Sequence, residues 1–465
     1  MARVLLIIPQ LPQRMGAPYL GLQYVASALL RSGHEVRCLD LAALHTPVSA
    51  QGAVEIAERF DADVIGFTLF TYNALNGYRL ASALQHLRGR LVAGGPHTTT
   101  CPQEALEHGF EAAIIGEGEH ALVALVNAVQ QEQWPRPIPG VQTRAGITAG
   151  GFIEDLDALP WPLDSYECFD PLWYGQHNSV VPGGMMTSRG CPAKCTFCAN
   201  HVTGRSFRWR SAADVVGEMQ QLRERFGLNH FAFWDDAFTA NRQRLKRLCD
   251  AIDAELPGAT WSCITPASMT TTSILERMAA SGCVAINFGI ESGDPQTLRA
   301  IAKGQRPKQV VTAVQTASSL GMSTVVNFMF GFPGESVESL QTTRQLMEVL
   351  ADDVDWFNHR GVLVPFPGTP IYERHHVEHG FTKWWLRDAY VGEEPNLFGL
   401  DPREAMTSLE HDPTLDLDFF HYSKPTREAI AACVRFKARH NANRVEALSA
   451  AAGGSQPIQT QAGAA

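Results

Sequence analysis

The sequence predicts an α/β protein: a doubly wound, Rossmann-like N-terminal domain over 1–140, a partial (β/α)6 TIM-like barrel over 183–375, and a small, mainly helical C-terminal region over 376–448. Three observations predict it. Strand and helix signals alternate along two long stretches, as in parallel sheets covered by helices. Between them, 141–182 forms a linker whose Leu159-Pro160-Trp161-Pro162 breaks the periodic apolar pattern. Beyond about 376 the alternation stops and aromatic clusters replace it. A chain of 465 residues, 45% of them apolar, has room for two or three such units and their cores.

Val4–Ile8 is a continuous apolar run, as a strand buried on both faces requires. Leu22, Val25, Ala26, Leu29 and Leu30 give Leu20–Ser32 a helical apolar spacing, which Gly33 stops. A strand at Glu35–Leu39, a helix at Ala53–Phe60, a strand at Val64–Leu69, a helix near Gly77–Leu87 and a strand at Leu91–Ala93 follow. Two glycine turns close strands, Gly94-Gly95-Pro96-His97 and Gly116-Glu117-Gly118-Glu119. Glycine there lets a ligand approach the backbone, although plain α/β domains also use such turns. Neither matches the dinucleotide fingerprint, so a nicotinamide cofactor is disfavoured.

In the barrel, strands are predicted at Met185–Ser188, His230–Trp234, Ala259–Ile264, Val284–Ile290, Ser323–Phe330 and Trp356–Pro365. Helices are predicted at Ser211–Phe226, Asn241–Glu255, Thr272–Ser281, Lys308–Leu320 and Ser336–Leu350. This architecture puts chemistry at the carboxyl ends of the strands. There the sequence places Asp235 and Asp236, Glu291, the turn Gly331-Phe332-Pro333-Gly334-Glu335, and Val364-Pro365. A carboxylate at a strand end also serves as a helix N-cap; four such ends together favour a ligand site. In the C-terminal region, Phe381, Trp384, Trp385 and Phe419, Phe420, His421, Tyr422 precede a helix at Thr426–Asn441. They predict a cap over the barrel, built mostly of core packing. The Ala/Gly/Gln-rich residues 449–465 are predicted to be a disordered tail.

The formal charge of −10 is spread without a block of one sign, so no nucleic-acid partner is indicated. Arg205, Arg208 and Arg210 read as anchors for an anionic ligand or for the neighbouring loop, with ordinary surface charges as the alternative. No stretch approaches the ~20 apolar residues of a membrane span, and Met1–Pro9 reads as a strand rather than a signal peptide. Apart from one motif, the ten cysteines are scattered, which predicts a reducing cytoplasm.

That motif is Cys191, Cys195 and Cys198, a Cys-x3-Cys-x2-Cys loop after an apolar run. A structural zinc site uses four protein ligands, and clusters that only carry electrons are held by four cysteines. Three thiolates on one loop suit a [4Fe–4S] cube whose fourth iron is left for another ligand.

The spacing resembles that of the radical S-adenosylmethionine (SAM) superfamily. The resemblance implies that Cys191, Cys195 and Cys198 hold the cluster, that its open iron chelates SAM, and that cleavage yields a 5′-deoxyadenosyl radical. Phe197 would pack the apolar side of the loop. Glu291 would take the SAM ribose, Asp235 or Asp236 the methionine amine, while Gly331, Gly334, Val364 and Pro365 would border the adenine. Lys303-Gly304 completes a pattern common in the family, with a surface lysine as the default reading. The N-terminal motifs, in their order, look like the cobalamin-binding domain that precedes many such barrels. By position, Leu20, Gly21, Thr68, Phe70, Thr71, Tyr72, Gly94, Gly95, Pro96, His97, Gly116, Glu117 and Gly118 would contact cobalamin. The Asp-x-His-x-x-G motif that supplies a histidine to cobalt is absent, so His34 and His97 read as structural rather than as cobalt ligands.

The resemblance implies a methyltransferase that uses SAM twice, passes a methyl group through cobalamin to a carbon of a small metabolite, and takes electrons from a low-potential flavodoxin- or ferredoxin-type donor. Non-methylating cyclisation or rearrangement is the alternative. Methylthio transfer is disfavoured, because a further N-terminal cysteine triad is absent. From another class, a non-catalytic cobalamin or SAM sensor would have no need of an open iron.

Overall fold

The computed structural model describes residues 1–11, 14–176, 182–358, 361–387 and 418–451. The first sheet is built from strands β1 (Arg3–Ile8), β2 (Glu35–Asp40), β3 (Val64–Thr68), β4 (Arg90–Gly94) and β5 (Ala112–Ile114), all parallel, in the order β2-β1-β3-β4-β5. The order reverses between β1 and β3, so a crevice opens outside the carboxyl ends of those strands. The apolar runs are buried on both faces, Val4 to Ile8 and Val64 to Phe67 all being buried. Two short strands, β6 (Val141–Thr143) and β7 (Gly146–Ile147), extend the sheet in antiparallel fashion. The expected linker therefore begins as part of the sheet. It continues as 3-10 turns at Leu156–Ala158, Pro162–Cys168 and Pro171–Tyr174, the second packed on the helix Leu20–Arg31.

The second sheet is parallel and runs in sequence order: β10 (His230–Phe233), β11 (Thr260–Pro266), β12 (Cys283–Glu291), β13 (Ser323–Phe328) and β14 (Trp356–Asn358). Four helices of this unit start where side chains cap them. Ser211, Asn241, Thr271 and Ser336 each accept a hydrogen bond from the N–H three residues on. Trp261, Phe288 and Phe328 are fully or almost fully buried behind the sheet. The helix Lys424–Ala451, longer than the expected Thr426–Asn441, closes the far side with Ile430, Cys433 and Val434. It includes the first residues of the predicted tail; 452–465 lie outside the described residues, as does much of the C-terminal cap, 388–417.

The first barrel strand departs from expectation. Met185 makes only an isolated parallel bridge to Phe233. The chain then bends away, and β8 (Ser188–Arg189) pairs antiparallel with β9 (Arg208–Trp209). The cause is local: the Thr187 N–H, which a ladder would need, donates to Asp235 Oδ1 at 2.7 Å. The final strand is likewise shorter than Trp356–Pro365, with a second isolated bridge from Phe330 to Val362.

The barrel sheet and its helices enclose one apolar core, and the N-terminal sheet belongs to another that reaches the barrel mouth. The latter runs from the N-terminal sheet through Leu298, Phe332, Leu363 and Tyr372 at the barrel mouth to Trp384, Trp385 and Phe419.

Candidate active site between two facing sheet ends

The cysteine loop is the connection between β8 and β9, a ribbon that fixes both of its ends. Gly190 has φ of 84°, and a Cβ there would come within 2.3 Å of the Ser206 carbonyl oxygen, so only glycine fits. The loop is tied inward by Cys191 N donating to Gly204 O (3.2 Å), Thr196 N to Ile301 O (2.9 Å) and Ile371 N to Thr196 O (3.1 Å). Asn200 Nδ2 donates to the carbonyls of Cys191 and Ala193 at 3.3 and 2.9 Å. Cys191 and Cys195 are buried and Cys198 partly so. Burial pushes all three thiols up, Cys198 to about 12, so thiolates here call for a strongly cationic group. Among the described residues, one set of His, Cys, Asp and Glu donor atoms converges within 4.8 Å, and these cysteines are not in it. Donors spread this way suit a multi-iron cube better than a single zinc ion. Phe197 lies on the loop's apolar side, its ring centroid 5.6 Å from that of Phe332.

Glu291 ends β12 opposite this loop. Its φ of 69° is an unusual conformation for a side-chain-bearing residue, and the register with β13 shifts at this point. Such strain clusters at functional positions. Lys303 Nζ donates to Glu291 Oε1 at 2.6 Å, and both side chains are only 8% exposed. The surface reading of Lys303 is therefore corrected: the short helix Pro295–Ala300 turns the chain back and carries the lysine into the site. Its ammonium lies 5.8 Å from the Phe197 ring centroid, which places it beside the cysteine loop.

The two aspartates part company. Asp235 is buried, and its oxygens accept from Thr187 N (2.7 Å), Thr187 Oγ1 (2.5 Å) and Ser188 Oγ (2.5 Å), with Arg244 Nη2 at 3.5 Å. It braces the segment that leads into the cysteine loop, and its fully buried side chain is closed to a methionine amine. Asp236 is exposed and accepts from Thr203 Oγ1 at 2.8 Å. Successive side chains at a strand end point to opposite faces, and that alternation separates the pair.

The Gly331–Gly334 turn is held by Glu335, whose Oε2 accepts from Gly331 N (2.6 Å) and Phe332 N (3.1 Å). Burial pushes the Glu335 carboxyl up to about 7. The Tyr422 hydroxyl donates to the Gly331 carbonyl oxygen, and Trp384 Nε1 donates to that of Pro365 at 2.9 Å. Lys437, on the helix Lys424–Ala451, is also buried here, its Nζ 5.3 Å from the Phe330 ring centroid; burial lowers its pKa to about 7. Tyr422 belongs to the aromatic cluster expected to cap the barrel, whereas Lys437 carries no local sequence signal and arrives by long-range packing.

The expected cobalamin residues gather along the carboxyl edge of the first sheet. Leu20 and Gly21 start a helix, Thr68 ends β3, Phe70 to Tyr72 form the next turn, Gly94 ends β4, and Gly116 to Gly118 lead into the helix Gly118–Gln130. Gly95 has φ of 94°, and a Cβ there would meet Leu69 O at 2.8 Å, whereas a Cβ at Gly116 would meet nothing within 4 Å. Open space beside Gly116 and a backbone-lined turn at Gly95 fit a large ligand lying over this edge. Two members of the expected set are turned elsewhere. His97 is fully buried, with Nε2 3.1 Å from Glu104 Oε1 and Nδ1 3.3 Å from Thr71 Oγ1. Glu104 also accepts from Tyr78 and Trp385 Nε1. Glu117 faces the barrel, paired with Arg189 at 3.0 Å and Arg208 at 2.8 Å.

These pairs place the two sheet ends face to face. Glu119 reaches Arg189 at 2.6 Å, and Thr100 Oγ1 lies 2.8 Å from His201 Nε2. Tyr72 packs edge-on against Phe366 and Trp384, at centroid distances of 5.5 and 5.6 Å. Of the arginines first read as anion or loop anchors, Arg208 holds Glu117, while Arg210 pairs with Asp214 and Glu218. Protein carboxylates neutralise both, which leaves the loop-anchoring role.

Two family models match the chain: the Radical SAM superfamily over residues 185–347 and the B12 binding domain over residues 16–126. The chain is 30% identical over 366 residues to an uncharacterized methyltransferase of Pyrococcus horikoshii, covering 77% of this chain and 78% of that one. It is 25% identical over 373 residues to the anaerobic magnesium-protoporphyrin IX monomethyl ester cyclase of Cereibacter sphaeroides, covering 75% of this chain and 59% of the cyclase. Among solved structures it shares the fold of the radical S-adenosylmethionine methyltransferase TsrM of Kitasatospora setae, determined with cobalamin and a [4Fe–4S] cluster bound. The TM-score is 0.66 at 21% identity, over 82% of this chain and 76% of that one. No described helix is long and apolar enough to cross a membrane.

Proposed function

The chain belongs to the cobalamin-binding radical SAM family, and from that premise we propose that it transfers a methyl group to a carbon atom of a small metabolite. It is a radical SAM enzyme, and its cofactors are a [4Fe–4S] cluster, SAM and cobalamin. When bound, these groups supply one-electron cleavage of SAM and a transferable methyl group, the steps that side chains alone cannot perform.

The residues divide the remaining work. Cys191, Cys195 and Cys198 hold the cluster on a loop fixed at both ends by a two-stranded ribbon. Glu291, aimed by a strained backbone and by Lys303, accepts from the ribose hydroxyls. Asp236 receives the methionine amine, because Asp235 is occupied in bracing the loop. Gly331, Gly334, Val364 and Pro365 border the adenine, with Tyr422 and Trp384 holding those turns in place. Leu20, Gly21, Thr68, Phe70, Thr71, Tyr72, Gly94, Gly95, Pro96, Gly116 and Gly118 line the cobalamin edge. An electron donor of low potential, of flavodoxin or ferredoxin type, serves the cluster.

The observation that carries this reading is the opposition of the two sheet ends, locked by Glu117 against Arg189 and Arg208. It sets a substrate between a radical source and a methyl source, where fixed separation replaces diffusional encounter. The likeness to a cyclase favours a second reading, oxidative ring closure without methylation. One experiment separates them. The protein, reconstituted anaerobically with iron, sulfide and hydroxocobalamin and then reduced, is incubated with methyl-labelled SAM and small-molecule extract. Label in an extract compound, formed alongside 5′-deoxyadenosine, supports methyl transfer. 5′-Deoxyadenosine with an unlabelled, dehydrogenated product supports ring closure.

A further inference from the structure

His375, Glu378 and His379 take no part in the site above, yet they form a donor set of their own. After the helix Pro370–His375 the chain continues in helical turns until Gly380, whose φ of 69° ends them. His379 N donates to His375 O at 3.1 Å, so the two histidines stand one turn apart on the same face. Their ring centroids are 5.7 Å apart. One donor atom from each histidine and one Glu378 oxygen all lie within 4.8 Å of one another. His375 Nδ1 is shielded from solvent and has no hydrogen-bond partner. Phe420 packs edge-on against both rings, at 5.8 and 5.3 Å, and its neighbour His421 places its ring 6.1 Å from that of His379.

We propose that His375, Glu378 and His379 bind a divalent transition-metal ion of the zinc class, with His421 or water as fourth ligand. Two imidazoles and a carboxylate are a nitrogen–oxygen set that suits tetrahedral zinc at about 2.0–2.2 Å per bond. Such bonds hold donors roughly 3.3 Å apart, a modest contraction that the exposed Glu378 side chain can supply by changing rotamer. The spacing His-x-x-Glu-His is also one by which a helix presents two histidine ligands, one turn apart, to a metal. The ion acts as a staple. It fixes the Phe420–Tyr422 segment against the barrel exit, and Tyr422 in turn holds the Gly331 carbonyl at the proposed SAM turn.

The test uses the full chain with its cluster already reconstituted, so that the loop thiols are occupied. It is equilibrated anaerobically with zinc ion, dialysed against metal-free buffer, and examined by elemental analysis and zinc K-edge absorption. The expected result is about one retained zinc per chain with a nitrogen/oxygen shell near 2.0–2.1 Å and imidazole scattering. A double variant, His375→Gln with His379→Gln, is expected to retain its cobalamin and lose the zinc. No retained zinc in the unmodified chain overturns the proposal, whatever the variant does. A sulfur shell near 2.3 Å overturns it as well, as does zinc kept by a folded double variant.

Discussion

Lys303 Nζ lies 2.6 Å from Glu291 Oε1, and this pair is sealed between the cysteine loop and the end of β12. Room for it depends on Gly289, where a Cβ would stand 3.0 Å from both the carboxylate oxygen and the ammonium. Removing one partner of a buried pair strands the other charge and costs on the order of 3–5 kcal/mol, whereas replacing both by apolar groups costs far less. Glu291→Gln is therefore expected to lower the unfolding midpoint and to weaken SAM binding roughly 10–100-fold, as loss of a charge-assisted hydrogen bond does. The double variant Glu291→Leu, Lys303→Met is expected to regain stability without regaining SAM. Denaturant unfolding and equilibrium dialysis with SAM measure the two effects separately. Recovery of SAM binding in the double variant would remove Glu291 from the ribose site.

Glu117 couples the two halves. Both its oxygens are committed to arginines of the barrel, and Arg189 directly precedes the Gly190-Cys191 turn. In Glu117→Ala, Arg208 is left buried without its carboxylate, a loss of about 3 kcal/mol or more. The functional expectation is an uncoupling. SAM cleavage needs only the barrel, so 5′-deoxyadenosine should still form, while labelled methyl delivered per 5′-deoxyadenosine should fall at least tenfold as alignment loosens. An unchanged ratio in a folded Glu117→Ala protein would show that this strap does not set the separation.

Much of this arrangement is legible in the sequence because its causes are local. Apolar runs fix the parallel strands, glycines mark the turns at strand ends, and the Cys191, Cys195, Cys198 spacing belongs to one loop. What escapes reading depends on packing between distant segments. Lys303 looks like a surface residue until the helix Pro295–Ala300 folds it back onto Glu291. Asp235 and Asp236 are chemically identical neighbours, and only the direction of the strand decides which one braces Thr187 and which faces outward. Tyr422 and Trp384 reach the barrel mouth from the C-terminal region, through a core shared with the N-terminal sheet. His97 follows a glycine turn expected to face a ligand, yet its side chain turns inward to Glu104.

Asn200 lies two residues beyond the last cysteine, and its amide holds the Cys191 and Ala193 carbonyls. It shapes the loop before any iron arrives. Asn200→Ala removes both bonds at about 1 kcal/mol each, too little to unfold the barrel but enough to spread the loop's conformations. The expected outcome is a lower iron content per chain after reconstitution, with secondary structure by circular dichroism unchanged. Full iron loading at the normal rate would show that the β8–β9 ribbon alone preforms the loop.

Glu335 gives the protein a pH dependence of definite sign. Its Oε2 accepts from two backbone N–H groups, but its buried Oε1 has no hydrogen-bond partner among the described residues. Burial raises its pKa from 4.5 to about 7, so the folded chain holds this proton more tightly than the unfolded chain does. The stabilisation is complete below the unfolded value and is lost as pH rises through about 7, a change of roughly 3 kcal/mol. Glu335→Gln keeps a carbonyl oxygen for Gly331 and Phe332 and cannot ionise. Urea midpoints at about pH 5 and about pH 8 should therefore drop for the natural chain and drop less for the variant, with the difference appearing on the alkaline side. Equal drops in both proteins would place the titration on another group and leave the Gly331 turn indifferent to pH.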